Sequence, residues 1–146
     1  NKADLQHVRE LRGMIASGAV QRLAERGDRE ILDALQANLK KQMRAAGKND
    51  VYAYEKYHFA FHQMIVDALE NPLVSMIYKQ VLNIVFEPMH ATVEKPGIMD
   101  LAIAEHYKMF GEIKAGNKQG ALDALNDHLK RFVTRVGSRG DEPDTD

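Results

Sequence analysis

Apolar residues recur with a period near 3.6 along almost the whole of this chain, and no stretch alternates with period two for long enough to make a strand. Each segment can therefore bury one stripe against other helices and has no sheet to pack on. The expected fold class is all-α, an antiparallel bundle of about six to seven helices joined by short loops.

Glycine, asparagine, aspartate and proline divide the pattern into segments. The first helix is expected over residues 3–26, with Leu5, Val8, Ile15, Ala19 and Leu23 inward and Arg12 on the same stripe. Gly13 and Gly18 each cost such a helix about 1 kcal/mol relative to alanine, which predicts close backbone packing or a local irregularity. Gly27-Asp28 reads as a stop and an N-cap, followed by a second helix with Leu32, Leu35, Leu39 and Met43 inward, ending near Ala46-Gly47. Its other faces are charged, as on a solvated outer helix. Asn49-Asp50 caps a third helix over 51–69, where Tyr54, Tyr57, His58, Phe61, His62, Ile65 and Leu69 share one face. Asn71-Pro72 restarts the chain into a fourth helix with Val74, Ile77, Val81, Ile84 and Val85 inward, which Pro88 should kink or end. Residues 91–97 are expected to be a loop. A fifth helix over 98–115 turns Ala102, His106, Met109, Phe110 and Ile113 inward, and a sixth, capped by Asn117, does the same with Ala121, Ala124, Leu125, His128, Phe132 and Val133. The polar tail 137–146 is expected to be disordered.

Composition narrows what such a bundle can do. At 146 residues and 45% hydrophobic, the chain suits one domain with a core of its own. Lysine plus arginine (20) balances aspartate plus glutamate (21), so no basic excess marks this segment as a binder of phosphate backbones. The lack of cysteine excludes disulfides and thiolate metal sites and is compatible with a reducing compartment. No apolar run approaches the roughly 20 residues of a membrane span, and no secretory signal pattern is present. The chain opens on Asn1 already in helical pattern, from which it is expected to be the C-terminal piece of a longer protein.

The histidines carry the chemistry. Four of the six, His58, His62, His106 and His128, fall on inward faces, and they come from three helices. An i, i+4 pair stacks two imidazoles within reach of one ion, and single histidines on two further helices can close the shell. All-imidazole donors suit Zn(II), Ni(II), Cu(II) or Fe(II) rather than Mg(II) or Ca(II), with zinc or nickel foremost. On spacing alone two readings stand: a shared divalent transition metal, or four core imidazoles each with its own hydrogen bond. His7 and His90 lie off the pattern and read as surface residues.

At this point the residues resemble a known family. The segment FAFHQMIVDALENPLV is similar to the F-H-x-x-[IL] … x-N-P-L signature of the FCD domain, the effector domain found C-terminal to a winged helix in GntR-family transcriptional regulators. AEHYKMFGEIKAGNKQGALDALNDHLKRF is similar to that family's ending, with His106 and His128 standing 22 residues apart around an A-G-N turn. The resemblance runs over essentially the whole chain. It implies an FCD domain over residues 1–136 with a central ligand or metal cavity, a winged helix lying outside this chain, a homodimer and a cytoplasmic setting. It also implies metal ligands at His62, His106 and His128, with His58 at a position where the family carries Asp. That departure removes a negative charge, and the site is then expected to lean on an anionic effector to neutralise the ion. Arg12 matches the family's E-[VL]-R position, where the guanidinium holds a carboxylate effector, although pairing with Glu55 or a place at the rim are alternatives for it. Tyr54 and Asn83 are further candidates for contact with the ligand.

Two functions follow. The favoured one is a metal-dependent sensor of small carboxylates, organic or sugar acids, that controls DNA binding through the N-terminal winged helix and is not an enzyme. The alternative is a helical-bundle metalloenzyme in which a histidine-held metal activates water or oxygen.

Overall fold

The computed structural model describes residues 2–137 and is a bundle of six helices. They are α1 (Lys2–Arg26), α2 (Arg29–Gly47), α3 (Val51–Asp67), α4 (Pro72–Val93), α5 (Ile98–Lys114) and α6 (Lys118–Gly137). No strand occurs among the described residues. The all-α class read from the periodicity holds; the tail 138–146 lies outside the described residues.

Local chemistry sets the boundaries. The Asp28 side chain accepts from the backbone of Glu30 and Ile31, that of Asp50 from Ala53, that of Asn71 from Leu73 and Val74, and that of Asn117 from Gly120, so each cap satisfies donors the first turn leaves unpaired. Gly116 ends α5 at φ 73°, a left-handed turn that glycine makes without cost, while its backbone passes beside the Ala24 carbonyl.

The helices pack by their stripes, α1 against α6, α2 against α3 and α5, α3 against α4, and α5 against α6. Leu23, Leu35, Leu39, Phe61, Val85, Met109, Ile113 and Leu125 are among the side chains sealed into the common core.

Four expectations change. Pro88 does not end its helix: α4 runs on to Val93, and the loop shrinks to residues 94–97. The ladder of α4 resumes past Pro88, with the Glu94 amide donating to the His90 carbonyl, and the tail is further held because Met89, Thr92 and Val93 are buried and the Thr92 hydroxyl donates to the Pro88 carbonyl at 2.8 Å. The inward face of α4 is also rotated. Ile77 and Ile84 are about half exposed or more (49% and 61%), and Tyr78, Leu82 and Met89 take the core with Val81 and Val85, following the same 3.6 period one position on. Met43 likewise lies outward, where its sulfur accepts from the Tyr107 hydroxyl. The glycines of α1 mark neither a break nor a close approach: the helix is continuous, a Cβ on Gly13 would meet Leu129 at an ordinary 3.9 Å, and one on Gly18 would meet nothing within 4 Å.

Candidate metal centre

The third helix starts at its Asp50 cap, and from there the period places Tyr54, His58, Phe61, His62 and Ile65 on one buried stripe. His106 enters from α5 and His128 from α6, and all four imidazoles are at most 3% exposed. One ring nitrogen from each lies within 4.8 Å of the others. His62 and His128 stack with their rings at 13° and their Nε2 atoms 3.2 Å apart. A Zn–N bond of about 2.0–2.1 Å implies N···N edges of roughly 3.3 Å in a tetrahedron, so the His62–His128 edge is already at that length and the wider separations must contract toward it to enclose one ion.

Each of three rings is gripped from outside through Nδ1. The Tyr54 hydroxyl stands 3.3 Å from Nδ1 of His58, Gln42 Oε1 2.8 Å from that of His106, and Glu105 Oε1 2.9 Å from that of His128. The inward nitrogens of His58 and His106, both Nε2, have no hydrogen-bond partner among the described residues. Two buried imidazole nitrogens without partners are costly unless something accepts their lone pairs, and a divalent transition metal does so. The donor set fits the ion that the sequence implied.

Electrostatics agree. Burial, reinforced by the neighbouring imidazoles and Arg12, holds His58, His62 and His106 well below the ordinary histidine value, in the neutral form a metal requires. His128 is also lowered by burial, against the opposing pull of Glu105. Burial works to raise the Glu105 carboxyl, but hydrogen bonds from His128 and Arg135 outweigh it and keep it ionised. Burial raises the Tyr54 phenol, which stays protonated.

Arg12 projects from α1 toward the same region. It is 1% exposed, its Nε and Nη2 have no hydrogen-bond partner among the described residues, and its guanidinium lies 5.8 Å from the Phe132 ring centre. It is not at the rim, and it does not pair with Glu55: Arg12 Nε and Nη2 and Glu55 Oε1 are each without a hydrogen-bond partner among the described residues, while Glu55 Oε2 meets His90 at 2.9 Å. A small cavity of about 20 Å³ joins Arg12, Tyr54, His58 and His128 to the apolar Met89, Val93 and Ile98.

The structure thus brings together His58, His62, His106, His128, Arg12 and Tyr54. Asn83 stands apart. It is exposed on α4 because it falls between the buried positions 82 and 85, and it lines a separate, histidine-free surface groove of about 600 Å³ with Phe59, Gln63 and Phe86. That groove is the larger opening, but it holds neither imidazole nor orphaned donor. His90 is not simply a surface residue: it is three-quarters covered and bridges Glu55 and Glu94, and Glu55 itself is buried.

Sequence reasoning passed over Asn38 and Gln42. Both are buried on α2, where Leu35, Asn38, Leu39 and Gln42 repeat the i, i+3, i+4, i+7 spacing, so two amides on a core stripe were the signal. Glu105 and Arg135, which pair at the outer side of His128, were missed as well.

Comparison with known proteins bears on this geometry. The family model described as the FCD domain matches residues 7–131. The HTH-type transcriptional regulator LutR of Bacillus subtilis is 27% identical over 133 residues, covering 88% of this chain; the chain spans only 60% of that relative's length. Among solved structures, E. coli McbR/YncC is similar with a TM-score of 0.85 at 19% identity, over 97% of this chain and 68% of that one. The metal-free FCD domain of TM0439 gives a TM-score of 0.73 at 15% identity, over 93% of both chains. At these identities the two structures bear on the fold alone.

Proposed function

The chain belongs to the FCD domain family, whose model covers residues 7–131, and on that premise we propose that it is the metal-dependent, carboxylate-sensing domain of a GntR-type transcriptional regulator. His58, His62, His106 and His128 hold a divalent transition metal, zinc or nickel foremost. The observation that supports this reading is the pairing, at one buried site, of two orphaned imidazole nitrogens with an orphaned guanidinium. The first asks for a cation and the second for an anion. A bidentate carboxylate satisfies Arg12, and it supplies the negative charge that four neutral imidazoles withhold from a divalent ion. When bound, the metal supplies a Lewis-acid contact for a carboxylate or hydroxyl oxygen.

Sensing rather than catalysis suits the acids nearby. Glu105 is held by His128 and Arg135 and so is not poised as a general base, and Glu55 is engaged through Oε2 by His90, outside the histidine cluster. In this reading the effector binds one arrangement of a homodimer better than another, by about 1–3 kcal/mol in typical cases, and a winged helix outside this chain carries the change to DNA in the cytoplasm. The outward apolar side chains of α4, Leu73, Met76, Ile77 and Ile84, offer a surface for such a dimer.

Metal analysis combined with thermal melting tests the reading. Zinc or nickel at 100 times the dissociation constant adds about 2.7 kcal/mol to the folded state. Chelator should lower the melting temperature, His106→Ala should abolish the metal shift, and small carboxylates should raise it further only in the metal-loaded protein. A chain that melts identically with chelator, zinc and nickel overturns it.

A further inference from the structure

The second helix contributes no candidate ligand, yet it determines which nitrogen of His106 faces the cluster. Asn38 donates through Nδ2 to the Tyr57 backbone carbonyl at 2.9 Å, Gln42 donates through Nε2 to Asn38 Oδ1 at 2.8 Å, and Gln42 Oε1 meets His106 Nδ1 at 2.8 Å. A backbone carbonyl only accepts, so the amide atom of Asn38 facing it must be nitrogen. Its oxygen then faces Gln42 and fixes that amide in turn, leaving Gln42 Oε1 to accept from His106. Nδ1 must therefore carry the proton, and the lone pair sits on the inward Nε2. Tyr57 belongs to the helix bearing His58 and His62, so the relay ties the His106 lone pair to the backbone that places two other imidazoles.

We infer that Asn38 and Gln42 are positioning residues that lock His106 in the Nδ1–H tautomer and so preset the cluster for a metal. No comparable lock acts on His58, whose partner Tyr54 can donate or accept. The inference rests on the metal reading for its consequence, but the tautomer is measurable without any metal.

The test uses the 146-residue chain. In metal-free protein, long-range ¹H–¹⁵N spectra should show His106 as the Nδ1–H tautomer. Gln42→Met, which keeps length and removes the acceptor, should yield a mixture and weaken zinc binding about 10- to 100-fold, as loss of an outer-sphere partner typically does. Gln42→Glu, which keeps the acceptor, should retain the tautomer. Asn38→Leu should weaken zinc binding in the wild-type background and by clearly less in Gln42→Met, because part of its effect is carried through Gln42. Circular dichroism and melting identify any variant that has lost its fold, and Gln42→Glu then carries the comparison. An Nε2–H His106 in the wild type, or additive effects of the two substitutions, overturns the relay. A fixed Nδ1–H tautomer in a chain that binds no zinc overturns the metal reading and the relay's role in metal binding, and leaves the tautomer lock standing.

Discussion

At the scale of single residues, the histidine at position 58 sets the charge of the site. Replacing it by aspartate adds one negative charge next to the proposed ion. His58→Asp should therefore tighten zinc and weaken a carboxylate effector, both read by titration calorimetry; unchanged effector affinity would count against the role given to its neutrality. The buried imidazoles also set how stability depends on pH. Burial keeps His58, His62, His106 and His128 below their usual 6.5, so the unfolded chain takes up protons that the folded chain refuses. Their contribution is complete above about pH 6.5 and is lost as pH falls, with a limiting slope of roughly 5 kcal/mol per pH unit for four groups at about 1.36 each. His90, raised by its hydrogen bond to Glu55, acts in the opposite direction, but as one group against four. Urea denaturation of chelator-treated protein at pH 7.5, 6.5 and 5.5 should show a steep fall below 6.5, and a flat profile would contradict it. The four inward histidines were legible in the sequence because they share stripes with large apolar residues. Asn38, Gln42, Glu105 and Glu55 were not, because periodicity finds buried positions and polar side chains are discounted there until their partners are known.

At the scale of elements, caps were readable and faces less so. Asp28, Asp50, Asn71 and Asn117 each cap the helix they were expected to cap, since the capping chemistry is local. The inward face of α4 was misread because Leu73, Met76, Ile77, Ile84 and Phe86 make the helix apolar on more than one side, and a stripe is ambiguous when its opposite is also apolar. Pro88 was given too much weight for a related reason: the lost backbone donor is a local cost, which burial of Met89 and Val93 in the next turn offsets. Asn71→Ala, which removes the acceptor for Leu73 and Val74 at 3.1 and 3.3 Å, should cost about 1 kcal/mol in chemical denaturation. Zinc affinity should be unchanged, because the cap lies at the far end of α4 from the residues that line the cavity.

At the scale of the whole molecule, three helices bring imidazoles to one point while α2 buttresses two of them from behind and α1 delivers the guanidinium. The cavity beside them, about 20 Å³, has room for roughly one water and none for an organic acid. Its wall includes Met89, Thr92 and Val93, the stretch of α4 beyond Pro88, which cannot donate the one backbone bond that the Ile84 carbonyl would otherwise accept. On the proposed function, a carboxylate enters this cavity only as its wall parts, so that binding would be timed by the protein rather than by collisions. In stopped-flow mixing of the metal-loaded protein with a carboxylate that passes the melting screen, the observed rate should level off as ligand concentration rises. The plateau would be the opening frequency of the domain, and under the proposed function the domain would act as a clock as well as a receptor: changes in effector faster than that frequency would be averaged away before they reached DNA.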